Sequence, residues 1–171
     1  MKMIMTSSDR SQSAELLSRK HLQAGLVAEQ GYVRMLITVN LLRTYMQLAT
    51  RSDAYHRQYG WSWAGFRLLA ILWSEGDMEV RQLADLTLST RAAVSSAVNK
   101  LEAAGMVRRK PVPNDRRLVV VQLTETGRAQ MEPAMRGQLA IEEELLSSLT
   151  PEQQRHLAEM LRTVADVSDS R

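Results

Sequence analysis

The sequence predicts a mainly α-helical chain with one small β-hairpin. Three observations carry that prediction. Apolar residues recur at spacings of three and four through most of the 171 residues. One stretch, 106–123, switches to extended segments rich in β-branched residues around a Pro-rich turn. Helix-capping residues stand at the boundaries between periodic stretches, at Ser62, Ser89-Thr90, Thr124 and Thr150-Pro151.

Taken in order, residues 1–13 are polar and Ser-rich after the first five, which suits a mobile terminus. From Ala14 to about Arg57 the pattern is helical, with a stripe of Val33, Leu36, Ile37, Leu41, Tyr45, Leu48 and Ala49. Gly31 is expected to divide a short leading helix from a long one, and Gly60 to end it. Ser62 caps a helix carrying Phe66, Leu68, Leu69, Ile71 and Leu72, apolar on most sides and therefore central to a core, which stops at Gly76.

Two short helices follow. The first spans about Val80 to Thr87 and turns Leu83, Ala84 and Leu86 inward. The second buries Val94, Ala97, Val98 and Leu101 and ends at Gly105, a suitable residue for the left-handed C′ position. Their link is brief, so the pair is a helix-turn-helix candidate. Met106–Lys110 and Leu118–Leu123 then flank the turn run Pro111-Val112-Pro113-Asn114-Asp115 as a hairpin. Thr124 caps a long helix in which Pro133 should leave a kink rather than an end. Thr150-Pro151 opens the last helix, striped by Leu157, Met160, Leu161, Val164 and Val167.

Charge sharpens the picture. The formal net charge is only +3, from 22 Lys+Arg against 19 Asp+Glu. Residues 91–117 hold Arg91, Lys100, Arg108, Arg109, Lys110, Arg116 and Arg117 against Glu102 and Asp115, a local +5. The stretch 142–171 is locally −4. A cationic centre beside an acidic tail suits one polyanion-facing patch and a separate face with other duties. A helix-turn-helix followed at once by a basic hairpin is the winged-helix plan, in which the second helix enters the major groove and the hairpin reaches along the duplex to the minor groove.

Other classes lack support. There is no cysteine, so disulfides, thiolate metal sites and thiol redox sensing are excluded. His21, His56 and His156 are too scattered to suggest a metal site. No glycine-rich phosphate loop or nucleophile elbow occurs, so neither catalysis nor a cofactor is expected. The apolar stretches are far too short for a membrane span, and residues 1–13 lack an apolar signal core, so a cytoplasmic location is expected.

The stretches GWSWAGFRLLAILW, VRQLADLTLSTRAAVSSAVNKLEAAGMVRRK and PNDRRLVVVQLTETG resemble the MarR family (multiple antibiotic resistance regulators) over about residues 30–167. The most specific part is Asp115, Arg116 and Arg117 leading into Leu123-Thr124 and Gly127, joined by Leu101-Glu102 before Gly105. The resemblance implies a homodimeric transcriptional regulator, expected to repress. Its winged helix-turn-helix would occupy 58–123, with dimerisation helices at 14–57 and 124–171, and it would bind a pseudo-palindromic operator in double-stranded DNA. The long stripes at 33–49 and 139–167 agree, because a winged-helix lobe alone offers them no partner.

Arg117 is the first candidate for the minor groove, Arg116 the second, with Asp115 orienting one of them. Arg108, Arg109 and Lys110 are candidate phosphate ligands, although strand geometry forbids all three from facing one side. On the recognition helix Arg91 and Ser95 are candidates for base edges, with Thr90, Ser96 and Asn99 as further polar contacts. Ala92-Ala93 and Ser96 stand where the family often has Ser-Thr and a basic residue, which shifts readout toward the wing and groove shape. Tyr45, His56, Tyr59, Trp61, Trp63 and Arg67 cluster in sequence at the junction where many relatives bind small effectors, and would suit an aromatic or anionic one. Each of these aromatics could equally be core. The alternative function is a helical dimer acting as a protein-interaction or anti-regulator module.

Overall fold

The computed structural model describes residue 16 and residues 19–112 and 115–166, with backbone alone at residues 112 and 115–117. The expected mobile terminus 1–13 lies outside the described residues. The chain divides into two compact units, the first ending at Gln47 and the second beginning at Leu48.

In the first unit, helical residues 19–23 stop at Gly25, whose φ is +68°. Leu26 N donates to His21 O and Gly25 N to Leu22 O, both at 3.0 Å, so the last carbonyls are satisfied as the chain turns away. The break therefore falls at Gly25 and not at the expected Gly31, which is helical inside α1 (Glu29–His56). Only a left-handed residue can close this kind of helix end, and Gly25 supplies it. Along the first-unit part of α1, Val33, Ile37, Leu41, Leu42, Tyr45 and Met46 are exposed.

The second unit starts within α1, where Ser52 and His56 are fully buried. A 3-10 turn, Arg57–Tyr59, ends at Gly60. Helix α2 (Trp63–Glu75) is capped by Ser62, whose hydroxyl accepts from Gly65 N at 3.2 Å. Trp63 N donates to Asp53 Oδ1 at 3.1 Å, and this bond, with Arg57 behind it, holds the Asp53 carboxyl below its ordinary range. Phe66, Leu68, Leu69 and Leu72 are all buried, as the nearly all-round apolar pattern of α2 requires.

Strand β1 (Met78–Glu79) leads into α3 (Val80–Leu86), where Glu79 and Gln82 cap each other's backbone. Leu83 and Ala84 are buried, but Leu86 is 56% exposed, contrary to expectation. Thr87 takes the inward position instead: it lies four residues after Leu83, is buried, and gives its hydroxyl to Leu83 O at 2.7 Å. Helix α4 (Arg91–Ala103) buries Val94, Val98 and Leu101. It closes with Gly105 N on Glu102 O and Met106 N on Leu101 O, with φ +72° at Gly105. That is a Schellman end, with buried Leu101 and Met106 as its apolar pair.

Strands β2 (Val107–Val112) and β3 (Asp115–Leu123) form the hairpin, and the sheet order is β1-β3-β2. Both strands run further toward the tip than expected, because Pro111 pairs with Val119 and Val112 with Asp115 across a register shift. The third strand, β1, is two residues long, too short to show a period in the sequence. It is held by pairing of Met78 with Val121 and Glu79 with Val120. Helix α5 (Glu125–Leu146) is capped by Thr124 and runs through Pro133. Helix α6 (Pro151–Asp166) starts at Thr150, whose hydroxyl accepts from Gln153 N while Gln153 Oε1 accepts from Thr150 N. Leu69, Leu72, Leu83, Val98, Leu101, Val121 and Met131 form the centre of the core, which fixes α4 and the hairpin to one scaffold. Truncating any of its leucines would cost about 2–5 kcal/mol.

Candidate nucleic-acid interface

Burial of one side of α4 leaves the other side as a polar surface. Arg91, Ala92, Ser96 and Asn99 are exposed and Ser95 is half-buried. Residues three and four apart share a helix face, so Arg91, Ser95 and Asn99 line up with Ala92 and Ser96 beside them. Thr90 is the N-cap, its hydroxyl accepting from Ala93 N at 3.2 Å. That acceptor is spent on the helix, and only the hydroxyl proton is left for an outside oxygen. Arg91 has no side-chain partner among the described residues.

The hairpin sorts its cations by strand alternation. Arg108 pairs with Gln122 in register, and Arg109 with buried Val121. Arg108 and Lys110 therefore lie on one face and Arg109 on the other. Arg109 is half-buried against α4. Its backbone N–H donates to Glu102 Oε1 at 2.9 Å, its guanidinium pairs with Glu102 Oε2, and Nη2 donates to Asn99 Oδ1 at 2.8 Å. Arg109 is thus a brace between β2 and α4. Arg108 is exposed and holds Gln122 Oε1 from Nε at 2.8 Å and Nη2 at 2.6 Å, while Gln122 Nε2 donates to Asp77 Oδ2 at 2.6 Å. Lys110 is exposed, with no partner among the described residues. The side chains of Asp115, Arg116 and Arg117 lie outside the described residues, although their backbone belongs to β3.

Sequence reasoning missed Glu102, Gln122 and Asp77 as positioning partners. Alternation across the hairpin could have placed Gln122 opposite Arg108; Glu102 needed the packing of α4 on β2. In the α3–α4 turn, Leu88 is 93% exposed at φ +51°.

The aromatic candidates do not form one lining. His56 is buried, stacked on Phe66 at 4.0 Å between centroids, with Nε2 3.0 Å from Gln138 Oε1. Burial pushes its pKa below the ordinary histidine value, against the pull of Gln138 and Asp53. Trp61 is buried and stacked on Tyr59 at 5.1 Å. Tyr45 is half-exposed and belongs to the first unit. Trp63 and Arg67 are brought together, the guanidinium carbon 5.6 Å from the indole centroid. Arg67 also donates to Thr87 O at 3.3 Å. Beside it lies a pocket of about 60 Å³ between α2 and the start of α4, reaching Leu68, Ser89, Ala93 and Ala97. That is less than half of the roughly 150 Å³ that holds a benzene ring. Among the described residues no group of three His, Asp or Glu could hold a metal ion, and no helix is long and apolar enough to cross a membrane.

Comparison with known proteins meets this geometry. The MarR family profile matches residues 61–119, from the residue before the α2 cap to the middle of β3. The HTH-type transcriptional regulator YwaE of Bacillus subtilis is 32% identical over 131 residues, covering 76% of this chain and 77% of that protein. MhqR, an HTH-type transcriptional regulator of the same organism, is 28% identical over 124 residues, covering 72% and 86%. The crystal structure of the transcriptional regulator BldR from Sulfolobus solfataricus superposes with a TM-score of 0.73 at 25% identity, over 81% of this chain and 99% of that one.

Proposed function

The chain belongs to the MarR family of winged helix-turn-helix transcriptional regulators, and on that premise we propose that it is a homodimeric repressor binding a pseudo-palindromic operator. The family consists of regulators, not enzymes. One observation carries the reading. A helix with a solvent-facing row of Arg91, Ser95, Ser96 and Asn99 is bonded to a cationic hairpin through Arg109, Asn99 and Glu102, which joins the two elements that would face DNA. Helix α4 enters the major groove with its N-terminal turn toward base edges. Lys110 and Arg108 meet phosphates, and Arg117, with Arg116 beside it, reaches the minor groove.

Dimerisation is supported by apolar side chains left exposed on single chains. In α6, Met160, Leu161 and Val164 are 48%, 41% and 62% exposed, and α1 presents its own exposed row. A second copy is the partner that closes such faces under two-fold symmetry. A dimer presents two lobes, which matches an operator made of two half-sites.

Release by a small aromatic or anionic ligand completes the proposal. Arg67 is stacked on Trp63 and holds the carbonyl of Thr87 at the end of α3. An aromatic carboxylate that takes Arg67 has to displace it from Thr87, because the pocket beside it is too small for a ring as it stands. Loss of that tie frees the turn that leads into α4.

Selection of duplexes from a random pool at physiological salt tests the DNA reading. Enrichment of an inverted repeat with half-sites about one helical turn apart supports it. Failure to enrich any motif, with the protein folded, supports the protein-interaction module instead.

A further inference from the structure

We propose that Leu88 is a specificity-determining residue, an apolar contact to the 5-methyl group of a thymine in the major groove beside the start of α4. The inference rests on the DNA-binding reading above and adds a residue that polar and charge patterning does not reveal.

The observation is a backbone outlier. Leu88 has φ +51°, and every other described residue with positive φ is a glycine: Gly25, Gly60, Gly76 and Gly105. It occupies the C′ position of α3. Its N–H donates to Asp85 O at 3.2 Å, and the next N–H, of Ser89, donates to Ala84 O at 3.0 Å. This is the same Schellman end that closes α4, where Gly105 holds the equivalent position. A left-handed leucine is strained by contact of its Cβ with its own backbone. Burial could offset that strain, but the side chain is 93% exposed. The fold of the single chain thus receives nothing in return for leucine at a position that favours glycine. Strain kept at an exposed position marks a site where the side chain works on something outside the chain.

Position says what that is. Leu88 is two residues before Thr90, the N-cap of the recognition helix, so their Cα atoms are at most about 7.6 Å apart. The N-terminal turn of that helix is the part that faces base edges. An isobutyl group has no donor or acceptor, so it can distinguish bases only by apolar contact. The apolar group that bases present in the major groove is the thymine methyl.

The test begins with the inverted repeat enriched by selection. Each thymine is replaced in turn by uracil, which removes the methyl and nothing else, and affinity is measured for the native chain, Leu88→Gly and Leu88→Asn. Both replacements tolerate the left-handed conformation and lack the isobutyl group. In the native chain, uracil at one thymine of each half-site should weaken binding about fourfold per methyl, the effect of exposing one methyl-sized apolar group. In both variants that thymine and uracil should bind equally. Leu88→Gly should also raise the Tm by about 2–4 °C through relief of strain, which shows that the fold is intact. If the native chain binds the repeat but no uracil substitution matters, or if the variants keep the same sensitivity, the contact is overturned and the exposed leucine serves a protein partner instead. If the native chain enriches no repeat, the DNA reading and this contact fall together.

Discussion

Arg109 Nη2 lies 2.8 Å from Asn99 Oδ1, and the same guanidinium is paired with Glu102 one turn further along α4. Two residues that charge and polarity nominate as separate DNA ligands are therefore bonded to each other. The bond ties the base of the hairpin to the recognition helix.

Arg109→Ala should therefore act through structure. It removes the guanidinium from Glu102 Oε2 and from Asn99 Oδ1, while the backbone N–H of residue 109 still holds Glu102 Oε1, and stability should fall by about 0.5–1.5 kcal/mol. Lys110→Ala should leave stability unchanged but lower the slope of log affinity against log salt by about 1. Urea unfolding and a salt titration of operator binding separate the two. An Arg109→Ala chain of native stability would show that the brace does not support the fold.

Arg117→Ala should weaken operator binding by about 1–3 kcal/mol per site if this residue reads the minor groove. Equilibrium binding to the selected repeat measures it, with Arg116→Ala as the comparison. Equal, small losses in both would assign the tip to phosphate contact alone.

His56 is buried with its pKa pushed below the ordinary value, chiefly by desolvation. The sign follows from linkage: below about pH 6.5 the unfolded chain takes up a proton that the native chain resists, so stability falls as pH drops through that range toward the folded pKa. Thermal melts from pH 7 to pH 5 should show a falling Tm in the native chain and a flatter profile in His56→Gln. Parallel profiles would remove His56 as the source.

Gly127→Ala should destabilise strongly. A Cβ there would stand 2.2 Å from the backbone oxygen of Met106, which also accepts from Thr124 N and Thr124 Oγ1. Backbone cannot swing aside as a side-chain tip can, so the loss should reach or exceed about 1–3 kcal/mol. A native-like Tm in this variant would mean that the start of α5 can move away from the Met106 backbone, just before β2, without cost.

Much of the architecture was legible in local chemistry. Ser62, Thr90, Thr124 and Thr150 cap helices where their sequence context places them, and Gly60, Gly76 and Gly105 end elements with positive φ. What escaped depended on partners distant in sequence. Strand β1 exists only because Val120 and Val121 pair with it. Leu86 lost the inward position to Thr87, whose hydroxyl found a carbonyl one turn back. The contacts of Arg109 with Glu102 and Asn99 were not legible, because its charge is visible in the sequence and the packing of α4 on β2 is not. Among the aromatic candidates, His56 stacks on Phe66 and Trp61 on Tyr59 within the fold, while Trp63 meets the guanidinium of Arg67.

In the proposed complex two winged lobes, related by two-fold symmetry, grip two half-sites at once. Affinity for the selected inverted repeat, compared with the same repeat carrying five extra base pairs between half-sites, tests it most directly. The insertion turns one half-site to the opposite side of the duplex, because a full turn is about 10–10.5 base pairs. The insertion should reduce binding to the level of a single half-site, with a full-turn spacing required for the tight complex. Equal affinity for both duplexes, with one chain bound per half-site, would contradict it.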